Sequence, residues 1–286
     1  MRKSLITTAV LGALAAPSFI FAADAAPAPD LTVAYNVGLY SQYIFRGLTQ
    51  TGGNPAVQGG VDLTHSSGLY LGAWASNISW LRDPYPISKS DTYYTSGGRM
   101  ELDIYGGYRH TFDSIGSGLG IDLGVLRYQY PGALRQGWAE ANTTEIYGAL
   151  SYGWIQAKLS SVVSDNAWGW GKIKGDSSYK SASGTYYAEL NATIPVSDLI
   201  GAKDGFSSGI TGIAHIARQE FNGTTNETAS YTDYKLGLQK SFTEGALNGV
   251  NLGGYWTYAN GKDSAWTYDR ENIGDSTGTV FVQKTF

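Results

Sequence analysis

Leu31, Val33, Tyr35, Val37 and Leu39 alternate with Thr32, Ala34, Asn36 and Gly38. A period of two gives an apolar and a small-or-polar face only in a β-strand. The alternation runs on through Tyr43 and Phe45 to Arg46, past the usual five or six residues of a strand. A glycine-rich turn follows over residues 47–55. Val57, Gly59, Val61 and Leu63 then resume the pattern, with Gln58, Gly60, Asp62 and Thr64 opposite.

The same design recurs along the chain. Strand signals fall at residues 31–46, 57–65, 69–80, 100–111, 119–130, 144–152, 154–163, 185–194, 210–218, 231–242, 250–258 and 279–286. That predicts an all-β fold of about twelve strands, at roughly 21 residues per strand and loop, as for membrane strands of 9–11 residues plus connections. Short turns (66–68, 153) alternate with longer connections (81–99, 131–143, 164–184, 219–230, 259–278). This is the asymmetry of an up-and-down antiparallel transmembrane β-barrel with both termini on the short-turn, periplasmic side. The connection 195–209 is long for that side and leaves room there for a further hairpin.

Composition agrees. No run of about 18 apolar residues follows the N-terminal region, so no helix is expected to span a bilayer. The mean hydropathy of −0.20 suits a wall apolar outside and polar inside. With 38 Gly and 21 Tyr against 15% charged residues, a helical bundle is disfavoured. The absence of cysteine excludes disulfides and thiolate metal sites. A net charge of −4 with no basic arm argues against nucleic acid as a partner.

Residues 1–25 have the form of a cleaved signal peptide: Arg2 and Lys3, an apolar core over 4–16, then small residues around Ala23-Asp24-Ala25. Residues 26–30 read as a short periplasmic lead-in and 31–286 as the barrel, located in the outer membrane. Aromatic residues near strand ends (Phe45, Trp80, Phe112, Tyr128, Tyr130, Tyr152, Trp154, Phe242, Tyr258) are expected to form interfacial girdles. In the fourth signal, Glu101 and Asp103 share a face with Tyr105, Gly107 and Arg109. A charge facing lipid costs several kcal/mol, on the order given for intramembrane carboxylates, so this face should be the lumen.

The run Tyr43-Ile44-Phe45-Arg46-Gly47-Leu48-Thr49-Gln50, followed by Pro55-Ala56-Val57-Gln58-Gly59-Gly60-Val61-Asp62, resembles the TorF family of outer-membrane porins. Further matching stretches are Trp74-Ala75-Ser76-Asn77, Glu101-Leu102-Asp103-Ile104-Tyr105-Gly106-Gly107-Tyr108 and Tyr128-Gln129-Tyr130-Pro131-Gly132. Tyr147-Gly148-Ala149-Leu150-Ser151-Tyr152-Gly153 and the terminal Lys284-Thr285-Phe286 complete the likeness. The resemblance implies a signal-bearing barrel with a pore role and no established substrate class. Val280, Val282 and the final Phe286 share one strand face and look like the assembly signal read by the outer-membrane insertion machinery. Lys284 stands where that signal usually has an apolar residue, and a lysine near a strand end can snorkel to the interface.

The expected pore-lining residues are Arg46, Asp62, Glu101, Asp103, Arg109, Asp122, Glu145, Lys158, Glu189, Asp233 and Lys235. Their excess of acids predicts a mild cation preference for small hydrophilic solutes. Arg46 is either a selecting charge or a wall brace paired with Asp62 or Glu101. His65, Ser67 and Asn77 come nearest to a hydrolase triad, which needs a histidine base on the serine and a third group orienting it. The run Ser66-Ser67-Gly68 is ordinary turn chemistry instead. His110 and His215 read as rim or lumen residues, and Trp168-Gly169-Trp170-Gly171-Lys172 as a sugar-binding surface, an outer-leaflet anchor or loop packing. No catalytic residue, metal site or cofactor is expected. The expected partners are small solutes, outer-membrane lipid and lipopolysaccharide, and the insertion machinery. The alternatives are an adhesive or structural barrel acting through loops 81–99 and 164–184, and a lipid hydrolase.

Overall fold

The structure is a computed structural model that describes residues 30–84, 92–116, 118–202, 204–223 and 225–286. The expected signal peptide and all but the last residue of the lead-in lie outside the described residues. The wall consists of β1 (Leu31–Tyr40), β2 (Ala56–His65), β3 (Leu69–Asn77), β4 (Met100–Phe112), β5 (Leu119–Gln129) and β6 (Thr143–Tyr152). It continues through β7 (Ile155–Val162), β8 (Tyr186–Ile194), β9 (Ile210–Glu220), β10 (Tyr231–Ser241), β11 (Val250–Ala259) and β12 (Thr277–Thr285). Each strand pairs antiparallel with its sequence neighbours, and β12 returns to β1 with Asn36 opposite Thr285 and Tyr40 opposite Phe281. The ring is closed, so no wall strand presents an unpaired edge to hydrocarbon.

The alternation sorts the faces as expected. Leu31, Val33, Tyr35, Val37 and Leu39 are exposed on the outside, and along β4 Met100, Ile104 and Tyr108 are exposed while Glu101, Asp103, Tyr105 and Arg109 are buried. Strand parity leaves five outward-facing Lys, Arg, Asp or Glu side chains on the wall: Arg127, Arg218 and Glu220 near the long-loop end, and Lys240 and Lys284 near the short-turn end. Between them lies an apolar belt, the surface that lipid covers and water would not. The chain is a β-barrel of the outer membrane.

At the short-turn rim one local device occurs twice. Gln239-Lys240-Ser241-Phe242 closes β10 and Gln283-Lys284-Thr285-Phe286 closes the chain. Lys240 Nζ donates to the Ser208 carbonyl and lies 5.2 Å from the Phe242 ring centroid. Lys284 Nζ donates to the Asn248 carbonyl and lies 5.5 Å from the Phe286 ring. Each ammonium thus covers a carbonyl of the neighbouring turn while its stem stays with the apolar face. Val280, Val282 and Phe286 are exposed on the outside. Residues 195–209 contain no hairpin among those described: the four-residue helix Val196–Leu199 takes up the extra length.

Two expectations are corrected. β1 ends at Tyr40, because from Ser41 the chain leaves the wall and turns inward. The alternation continues there because Tyr43 and Phe45 are buried inside the barrel rather than set on its outer face. Trp80, Tyr128 and Tyr130 are likewise interior, whereas Phe112, Tyr152, Trp154 and Tyr258 are exposed. An aromatic residue at a strand end serves the interface only when its parity faces lipid. His110, one of the two rim-or-lumen histidines, faces outward between Tyr108 and Phe112.

Candidate functional site: the lumen and its inward hairpin

Among the described residues three short hairpins fold in from the long-loop end: Ile44–Phe45 with Leu48–Thr49, Asn166–Ala167 with Trp170–Gly171, and Thr267–Tyr268 with Glu271–Asn272. Each has a two-residue tip with both φ angles positive: Arg46-Gly47, Trp168-Gly169 and Asp269-Arg270. These tips hold all four positive-φ non-glycine residues among those described. Two left-handed residues form the turn that matches the twist of a tight hairpin. Arginine and tryptophan adopt that conformation at a cost, so tertiary contacts must hold the tips.

Arg46 has such contacts. Its guanidinium donates to both Glu145 oxygens, at 3.0 and 2.8 Å, and to Gln219 Oε1 at 2.8 Å. Glu145 is on β6 and Gln219 on β9, so the tip crosses the lumen and ties together distant parts of the wall. The guanidinium carbon also sits 4.1 Å from the Tyr187 ring centroid and 4.9 Å from that of Trp168. Gly47 presses on the next wall segment: a Cβ there would stand 2.5 Å from Asp233 Cβ and 3.0 Å from Ala259 Cβ. At the hairpin base, Tyr43 OH donates to Glu101 at 2.8 Å and Gln42 Nε2 to Thr277 Oγ1 at 2.8 Å.

Aromatic rings from the three hairpins and the loops fill the space above. Phe45 packs on Tyr128 and Trp168, Trp80 on Tyr93, Tyr130 and Tyr268, and Trp266 on Trp170, Phe221 and Tyr231. The cavity among them is about 20 Å³, room for about one water. The Trp168 run is therefore loop packing, not an exposed surface.

Below the hairpin the lumen wall is a ladder of polar pairs. Tyr105 OH donates to Asp62 and Tyr70 OH to Asp122, each at 2.6 Å, and Tyr70 OH also meets Tyr147 OH. Arg109 lies 3.9 Å from Asp122 with its guanidinium 3.8 Å from the Tyr70 centroid, and Lys158 lies 3.7 Å from Glu189. His215 joins Asn191 at 2.6 Å and Asp233 at 3.0 Å, and Tyr187 OH reaches Asp233 at 3.0 Å. Lys235 lies 4.9 Å from the Tyr255 ring. Asp103 is fully buried, and neither of its oxygens has a hydrogen-bond partner among the described residues.

All eleven singled-out charges are on the inward side, ten on the wall and Arg46 on the hairpin. The brace partner of Arg46 is Glu145, not Asp62 or Glu101, which take tyrosine hydroxyls. That difference follows from β1 ending early: from the hairpin tip Arg46 reaches the far wall rather than its own neighbours. Sequence reading missed Tyr70, Tyr105, Tyr147, Tyr187 and Gln219 as polar partners. Their inward parity marks them, once the strand registers are known. The hydrolase arrangement is not assembled. His65 Nδ1 and Ser67 Oγ lie 2.9 Å apart in an exposed turn, but Asn77 is at the other end of β3, where its Oδ1 accepts the Val57 N–H at 2.7 Å.

Among solved structures the fold is similar to the KdgM porin, at 8% identity and a TM-score of 0.45, covering 89% of this chain and 98% of that one. It is also similar to OccK5 (OpdH) of Pseudomonas aeruginosa, at 13% identity and a TM-score of 0.41, covering 90% and 67%. No curated protein matches the sequence. The family model that does match spans residues 24–286, and the chain belongs to that family, Gcw_chp, bacterial proteins of unknown function.

Proposed function

We propose that this protein is a porin-like channel, of the kind the TorF resemblance implies, passing small hydrophilic solutes across the outer membrane. The hairpin carrying Arg46 is its constriction and movable plug. The observation that carries this reading is the Arg46–Glu145 pair. An ion pair spanning the lumen from a loop is non-covalent and reversible, whereas packing alone would suffice for a permanently solid interior. The eleven inward charges are the pore lining, and seven acids among them stand against four bases, so cations pass more readily than anions. Outer-membrane lipid and the insertion machinery are the partners of the belt and of Val280, Val282 and Phe286. No hydrolytic step is assigned to the His65–Ser67 turn, and Ser67→Ala leaves function unchanged.

The test is planar-bilayer conductance of the refolded mature chain and of Glu145→Gln. The reading expects brief steps from the first and larger or longer ones from the second. Silence from both, with folding verified by heat-modifiable migration, overturns it. The packed mouth would then favour the adhesive or structural barrel, working through its loops.

A further inference from the structure

Near the long-loop end, two outward arginines have the same surroundings. Arg127 stands directly opposite Thr144 across the β5–β6 pair, and Arg218 directly opposite Thr232 across the β9–β10 pair. Arg127 Nη1 donates to Thr144 Oγ1 at 2.9 Å, while its Nε and Nη2 reach Gln129 Oε1 at 3.4 and 3.3 Å. Arg218 Nη1 reaches Thr232 Oγ1 at 3.5 Å, and its Nε donates to Glu220 at 2.9 Å. In both, the residue two positions on and the cross-strand threonine hold the guanidinium flat against the wall.

The two differ in charge. Arg218 faces a carboxylate, with Nη2 2.6 Å from Glu220 Oε2, and is neutralised. Arg127 faces the neutral amide of Gln129. Of five guanidinium N–H groups, the bonds described use three, and two remain for a ligand. Below Arg127 on the same outward face come Val125 and Leu123, both exposed apolar side chains. Arg127 is thus a cation with no charged partner among the described residues, at the long-loop edge of the lipid-facing belt and level with the exposed Ile104 of β4. An arginine at mid-belt would be costly and at the interface nearly free, but nothing in the fold requires a positive charge there.

We propose that Arg127, with Gln129 and Thr144, binds the phosphate of a phosphorylated outer-leaflet lipid headgroup, whose acyl chains lie along Val125 and Leu123. The planar fork suits a phosphate better than a point charge does. The proposal rests on the barrel's place in the membrane and is independent of whether the lumen conducts.

The experiment is native mass spectrometry of the folded mature chain in detergent, titrated with bisphosphorylated lipid A, with the same lipid stripped of its phosphates, and with inorganic phosphate. The expected result is binding of the phosphorylated lipid that Arg127→Ala weakens about tenfold, the scale of one charged hydrogen-bonding partner. Arg127→Lys recovers part of it, and Arg218→Ala changes it little, because that arginine is already paired. Each variant is first checked for heat-modifiable migration, and Arg127→Gln replaces Arg127→Ala if the latter fails to fold. Equal binding by wild type and the neutral variant overturns the proposal. So does equal binding of the dephosphorylated lipid, which would leave only the apolar belt as the ligand surface, and so does inorganic phosphate binding as tightly as the lipid.

Discussion

Arg46 and Glu145 lie 99 residues apart in sequence and meet through two parallel N–H···O bonds inside the barrel, both side chains at most 5% exposed. A planar, two-bond contact fixes orientation as well as distance, so the pair sets where the hairpin tip rests. Removing one partner of a buried pair costs about 3–5 kcal/mol, because the other charge is stranded. The hairpin avoids that cost by leaving its seat. Glu145→Gln is therefore expected to make the Arg46–Gly47 bond sensitive to trypsin in the folded barrel. Mass-identified cleavage after residue 46 in the variant and not in wild type is the expected outcome. Equal resistance would mean that the aromatic packing alone seats the hairpin.

Gly47 and Gly53 separate two reasons for glycine in one loop. Both have positive φ, +79° and +75°, yet a Cβ at Gly53 meets nothing within 4 Å while one at Gly47 meets Asp233 and Ala259. Gly53→Ala therefore carries only the backbone cost, on the order of 1 kcal/mol. Gly47→Ala adds a steric conflict at the tip. It should lower the temperature of heat modification clearly more than Gly53→Ala does; equal shifts would show that the tip is not seated on β10.

How far the fold is legible from the sequence can be seen in β4 and in the hairpin. Glu101, Asp103 and Arg109 against Ile104 and Tyr108 give parity directly, since lipid admits one sign of that pattern. The short-turn and long-loop rhythm places the strands for the same reason. Tyr43, Phe45 and Arg46 misled because a two-residue period is the signature of a strand, and the inward hairpin is itself a strand pair. Arg46-Gly47 carries the turn signal only through its glycine, as asparagine or aspartate is the usual first residue there. The Glu145 partner was not legible at all, since a contact across 99 residues depends on barrel closure and on the depth of the tip.

The two Lys-x-Phe segments predict different losses. Deleting Phe286 removes both the staple with Lys284 and the chain's last outward aromatic, and should reduce the amount of heat-modifiable protein assembled in cells. Phe242→Ala removes an equivalent contact within the wall and should leave assembly yield near wild type, lowering only the modification temperature. The two amounts are read from unheated gel migration. Equal yields would count against a signal at the terminus.

Asp165, at the base of the Trp168 hairpin, accepts from Lys172 at 2.9 Å and from Ser181 at 2.8 Å. The Lys172 ammonium, then the Ser181 hydroxyl, hold its carboxyl below the ordinary aspartate range. A depressed carboxylate contributes stability above its unfolded value of about 4 and loses that contribution as pH falls through the lower folded value. Tryptophan fluorescence from the loop should therefore hold steady down to about pH 4 and change below it. Asp165→Asn should remove that acid step. A step that persists in the variant would assign it to another group.

Asp122→Asn tests the lining. Loss of this partly exposed lumen acid, which faces Arg109, should move the reversal potential in a salt gradient towards anions, relative to wild type, without closing the channel. A wild-type potential that already favours anions would contradict an acid-rich lining as the source of selectivity.

A lumen that is a conduit with a removable constriction is the proposal, and single-channel current decides it. Wild type and Glu145→Gln would be refolded, verified by heat-modifiable migration and recorded in the same planar bilayer. Short, infrequent steps are expected from wild type and frequent, larger ones from Glu145→Gln, with a preference for cations in both. Folded protein that gives no current in either form would contradict it and leave a solid barrel.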